Sequence, residues 1–179
     1  MKRLYIPAIL FIMTILEGVA LELLPPNIVS GEMLIIPHWV LMFLILLAIF
    51  YDKESTYYSV MYALVFGLLI DIVYTGILGV YMFSYAAAIY FVLGLKKLLH
   101  DNILTGLILG IVGIISADIF INIIYMIVGI APNGWEYYFT YRLWPTVLAN
   151  LLFLIIIYPI FAKRLIGWSD NQVFERNRF

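Results

Sequence analysis

Apolar runs of membrane-spanning length recur along this chain, separated by short polar links, and that recurrence leaves few folds open. In lipid every backbone N–H and C=O needs a partner within the protein, so only helices and closed barrels cross a bilayer. A barrel strand alternates apolar and polar residues, and these runs do not alternate. The reading is therefore an all-α integral membrane protein. Composition agrees: 65% of the 179 residues are hydrophobic and 12% are charged, with mean hydropathy +1.07. A soluble domain carries about 25% charged residues.

Six spans are expected. The first runs from Leu4 to Leu24 behind Lys2 and Arg3, and Pro25-Pro26-Asn27 ends it. Gly18-Val19-Ala20 loosely resembles a signal-peptidase site, but Glu17 beside it and the later spans favour an uncleaved anchor. The second is Leu34 to Phe50, entered through Pro37-His38-Trp39; the third runs from Tyr57 to Val73; the fourth runs from Ile77 to Leu95. The fifth, Ile103 to Ile130, is longer than a perpendicular span needs. The last extends from Trp144 to Ala162, giving a transmembrane domain over 1–166 and a short polar tail over 167–179. Trp168, Val173 and Phe174 offer that tail apolar contacts, with a solvated, frayed terminus as the alternative.

Charge sets the orientation. With six spans, Lys2, Arg3, Lys53, Lys96, Lys97, Lys163, Arg164, Arg176 and Arg178 share one side of the membrane, leaving Arg142 on the other. The positive-inside rule then places both termini in the cytoplasm. In that frame Glu17, His38, Asp71, Asp118, Asn122, Arg142, Thr146 and Asn150 all fall in the outer half of the membrane.

These residues are the candidate site. A carboxylate at the centre of a membrane helix costs about 2.5–3.5 kcal/mol, so it normally faces protein and has a partner. Asp71 stands near the end of an apolar run and precedes a turn containing Gly76 and Gly79. Capping of the Tyr74-Thr75-Gly76 turn stands against a buried ion pair or a partner contact as its role. On the fifth span Gly106, Gly110, Gly113 and Ala117 form a close-packing stripe beside a polar stripe of Asp118, Asn122 and Tyr125. On the last, Arg142, Thr146 and Asn150 recur at i, i+4 and i+8, a polar track able to face Asp118 or Asp71. Glu17 lies nearer mid-span and calls for a specific partner. Asn122 and Asn150 suit interhelical hydrogen bonding, and His38 suits a solvated interfacial position. A proton relay through these carboxylates is a further reading, with nothing to mark it over packing.

Several chemistries lack support. There are no cysteines, and the two histidines are far apart, so no zinc or disulfide site is drawn. No nucleophile elbow, phosphate loop or two-histidine metal spacing occurs, and the charges report topology, giving no support to nucleic-acid binding.

The residues do resemble a family. The basic start with Pro7, the Ile36-Pro37-His38-Trp39 entry, Gly67-Leu68-Leu69-Ile70-Asp71, Tyr74-Thr75-Gly76-Ile77-Leu78-Gly79-Val80-Tyr81-Met82-Phe83, and Arg142-Leu143-Trp144-Pro145-Thr146 with Asn150 resemble the rod shape-determining protein MreD family over nearly the whole chain. The resemblance implies a non-enzymatic scaffold without cofactor, in the bacterial inner membrane, serving lateral-wall peptidoglycan synthesis. Its partners would be MreC directly, with MreB, RodA and a class B penicillin-binding transpeptidase in the same complex. The family's architecture is similar to that of the vitamin-binding subunits of energy-coupling-factor transporters, which supplies a rival function: a small-molecule binding subunit. Bulky Phe11, Ile12, Met13 and Ile15 on the first span weigh against that rival, which docks through small residues.

Overall fold

In the computed structural model, the described residues are 4–23, 34–53, 56–99, 102–130 and 134–176, with side chains described through 170. They contain no strand; six main helices form one bundle. These are α1 (Tyr5–Leu23), α2 (Trp39–Phe50), α3 (Tyr58–Ile70), α4 (Val80–Lys96), α5 (Ile103–Ile127) and α6 (Trp144–Arg176). A π-helical turn, Asp71–Thr75, extends α3, and a second, Tyr138–Leu143, follows the short turn Trp135–Tyr137 and leads into α6. Four elements are long and apolar enough to cross a membrane: Tyr5–Leu23, Tyr58–Thr75, Ile103–Ile127 and Trp135–Asp170; Trp39–Phe50 and Val80–Lys96 are shorter.

The bundle is built around α2, which touches every other helix. From Val40 to Ala48 its residues are fully buried, so what reads as an ordinary span is a helix with protein on all sides. That explains its all-round apolar sequence. It is also shorter than the expected Leu34–Phe50 span, because Leu34 to His38 are not helical. Twelve helical residues rise only about 18 Å, against a hydrocarbon core of about 30 Å.

The glycine stripe of α5 does what its spacing suggests. Gly106 and Gly110 lie against Tyr158 and Leu154 of α6, and Gly113 lies against Ile45 of α2. Another glycine sets the α3–α4 contact: a Cβ on Gly67 would stand 2.7 Å from the Met82 Cα. Outward-facing positions are apolar, as with Leu148, Leu152 and Ile156 along α6, an exposure that suits lipid and not water.

The final helix does not stop at Ala162. It continues through Gly167 to Arg176, and its last described turns pack: Trp168 stacks on Tyr5 at 5.8 Å, the Ser169 hydroxyl donates to the Tyr51 carbonyl, and Lys53 lies 3.7 Å from Asp170. The fraying expected of the tail therefore does not begin at Gly167. The stacking also brings the start of α1 and the end of α6 to the same end of the bundle. Val173 and Phe174 side chains, and Lys2, Arg3, Pro25 to Asn27 and Arg178, lie outside the described residues.

Candidate functional site

In a membrane a non-helical segment leaves its backbone groups without helical partners, which is tolerated only where protein supplies them. The polar track of α6 supplies them here. Thr146 Oγ1 accepts from Ile36 N at 3.2 Å and donates to Leu34 O at 3.3 Å. Asn150 Oδ1 accepts from His38 N at 2.6 Å while its amide donates to Ile36 O at 2.8 Å. Pro145 has no N–H for the Tyr141 carbonyl four residues back, and that oxygen accepts from Leu34 N at 2.8 Å. The i, i+4 spacing on α6 thus acts as a substitute strand for the chain entering α2.

Carboxylates cap the helices. Glu17 Oε2 accepts from Val40 N at 3.1 Å, in the first turn of α2. Asp71 is fully buried and receives three donors, Gly79 N at 2.9 Å, Tyr81 N at 2.8 Å and Met82 N at 3.1 Å. It therefore caps α4 from across the turn, in place of a side chain that Gly79 lacks. Neither the expected cap nor the expected ion pair stands without change: the capping is real, but it serves the next helix and not the Tyr74-Thr75-Gly76 turn, and no ion pair forms on Asp71 among the described residues. Gly76 and Gly79 close the turn at φ +68° and +98°, a left-handed region that disfavours any Cβ. At the other end of the bundle, Asp52 accepts from Tyr58 N, Ser59 N and the Ser59 hydroxyl to cap α3. Burial raises its carboxyl pKa above the usual range, with the Ser59 and Tyr58 hydrogen bonds and Lys96 opposing. Lys96 Nζ in turn donates to the Ala48 and Asp52 carbonyls at the end of α2.

Asp118 takes an ion pair. Its Oδ1 lies 3.1 Å from Arg142 Nη2, its Oδ2 accepts from the Tyr138 hydroxyl at 2.8 Å, and His38 Nε2 stands 3.6 Å away. His38 is fully buried, which corrects the solvated interfacial position expected for it; its Nδ1 is 2.8 Å from the Tyr85 hydroxyl. A proton on Nε2 leaves Nδ1 to accept from Tyr85 and points Nε2–H at Asp118. The π-helical turn places Tyr138 and Arg142 together on Asp118. Asn122 remains outside this network among the described residues: its amide donates to Met126 Sδ of its own helix at 3.6 Å.

Between these groups lies a cavity of ≈ 490 Å³. Its polar lining is Glu17, Tyr74, Thr75, Tyr81, Tyr125 and Arg142. Tyr74 reaches it by crossing Gly18, where a Cβ would overlap the ring, and donates to Thr14 O at 3.0 Å.

The family model for rod shape-determining protein MreD matches residues 2–165. The chain belongs to the MreD family. It is also 24% identical over 168 residues to the rod shape-determining protein MreD of Bacillus subtilis (strain 168), covering 92% of this chain and 96% of that one. No solved structure matches it significantly. Membership assigns the chain a role in rod shape determination, in a family of membrane-type helices whose part is structural.

Of the expected site residues, His38, Asp118 and Arg142 meet in one network of this MreD-family chain. Thr146 and Asn150 meet the backbone beside it, and Glu17, Asp71, Gly76 and Gly79 build helix ends. Sequence reasoning passed over Tyr85 and Tyr138. A signal was present: Tyr138 stands four residues before Arg142, and Tyr85 four after the cavity-lining Tyr81, on shared helix faces.

Proposed function

We propose that the chain is a six-span scaffold of the bacterial inner membrane, with both termini cytoplasmic, that holds the cell-elongation machinery to its membrane base. Its partner is MreC, bound directly, with MreB, RodA and a class B penicillin-binding transpeptidase in the same assembly. The 1–166 transmembrane domain carries that role. The observation that supports it is the turn from Tyr74 to Tyr81, held rigid by three hydrogen bonds to one buried carboxylate while Leu78 at its tip is 68% exposed. A surface of fixed shape loses little conformational entropy on binding. Positive-inside charge supports the orientation, and would put the turn on the side where wall is made.

The test is co-purification of MreC with Leu78→Arg and Gly76→Leu variants that insert normally. Loss of MreC from either supports the placement; wild-type recovery from both removes it. The rival reading, a vitamin-binding subunit with the fold of energy-coupling-factor transporters, is favoured by the cavity alone. Depletion separates the two: rounded cells support the scaffold, and nutrient starvation in cells of normal shape supports the transporter.

A further inference from the structure

Three departures from the α-helix converge on the ≈ 490 Å³ cavity. The non-helical segment before α2 supplies Leu34 to Pro37, the first π-helical turn supplies Tyr74 and Thr75, and the second supplies Arg142. Each interrupts the regular backbone ladder, and a π-turn inside a helix is a recurrent mark of functional sites.

Two donors there are unspent. Arg142 Nε is buried without a hydrogen-bond partner among the described residues, although Nη2 holds Asp118. The Tyr81 hydroxyl lines the same cavity and likewise has no hydrogen-bond partner among them. Asp118 balances the guanidinium charge through Nη2 but leaves the Nε edge without an acceptor. A buried guanidinium edge without an acceptor is costly, and an oxyanion matches it in geometry as well as charge. Most of the remaining wall is apolar, with Leu34, Ile36, Ile70 and Ile77 facing the space. Glu17 is engaged at the first turn of α2, so the wall offers an acceptor-bearing ligand one charged end and an apolar body.

We propose that this cavity binds a small amphiphile whose single carboxylate or phosphate accepts from the Arg142 guanidinium and the Tyr81 hydroxyl while its apolar stem lies against Ile36, Ile70 and Ile77. The volume lies within the range of about 300–1,000 Å³ usual for small-ligand sites. Ile77 and Tyr81 of the Tyr74–Tyr81 turn line this cavity while Leu78 is exposed, and ligand binding is read without MreC, so its failure and that of MreC binding are told apart.

The full chain in phosphatidylcholine nanodiscs is titrated with octyl phosphate, octanoate, octanol and inorganic phosphate, reading calorimetric affinity and thermal midpoint. Octyl phosphate and octanoate are expected to saturate, with octanol and inorganic phosphate at least about tenfold weaker. Tyr81→Phe keeps the ring and removes one donor, and should weaken octyl phosphate roughly fivefold while leaving octanol unchanged. Ile77→Trp fills the apolar end and should weaken both anionic amphiphiles; it carries the test if Tyr81→Phe fails to fold by circular dichroism. Octanol binding as tightly as octyl phosphate would overturn the oxyanion contact. Inorganic phosphate binding equally tightly would overturn the amphiphile, and unchanged affinity in both variants would overturn the location.

Discussion

Replacing Asp71 by alanine tests the account of the Gly76–Gly79 turn most directly. The carboxylate satisfies the N–H groups of Gly79, Tyr81 and Met82, of which the Tyr81 bond is buried and the other two are partly buried. A buried donor left unpaired costs about 1–3 kcal/mol, and a partly buried one sits at the low end of that range. Asp71→Ala should therefore cost about 4 kcal/mol, including the lost anion at the positive end of α4. Asp71→Asn is milder. One amide oxygen at the Oδ2 position still serves Gly79 and Met82, while the amide NH2 faces the Tyr81 N–H, so about 2 kcal/mol is expected. Reversible unfolding in mixed micelles, titrated with dodecyl sulfate and followed by circular dichroism and tryptophan fluorescence, measures both. A loss below about 1 kcal/mol for alanine, or equal losses for the two variants, would refute a capping role carried by three directional bonds.

The same measurement addresses three other features. Asp118→Asn leaves Arg142, whose side chain is 14% exposed, without its counter-charge and should cost about 3 kcal/mol; Arg142→Gln combined with it should recover part of that loss, and strict additivity would deny the pair. Gly67→Ala drives a Cβ into the Met82 backbone and should cost about 2 kcal/mol. Gly94→Ala, with open space at its Cβ, should be neutral or gain about 0.5–1 kcal/mol. Asp52 has its pKa raised on folding, so the folded state binds that proton more tightly and the group's contribution is greatest below the ordinary carboxylate range; it declines as pH rises through the raised value, and Asp52→Asn should flatten that part of the stability profile.

The all-helical fold and several of the polar residues that meet in it were legible along the chain, because both follow from period and cost. Repeated apolar runs of about 20 residues admit only spanning helices. The i, i+4 spacing of Gly106, Gly110, Arg142, Thr146 and Asn150 needs no tertiary knowledge to place each set on one face. Even the need of Glu17, Asp71 and Asp118 for partners follows from the expense of a charge in hydrocarbon. What those partners are does not follow. Hydropathy reads Leu34 to Phe50 as one span because non-helical and helical apolar residues look alike to it; only packing on five neighbours shows that the helix starts at Trp39 and that α6 side chains replace its missing first turns. His38 has the same composition on either side whether it meets water or Asp118, and the distinction is made by α5, eighty positions further along. Asp71 is the clearest case. Its sequence neighbours suggested that it closed its own turn, yet its oxygens end eight to eleven residues ahead, on the first turn of α4. A carboxylate's cost is fixed where it stands in the chain, whereas its hydrogen bonds are fixed by whatever the folded backbone brings within 3 Å.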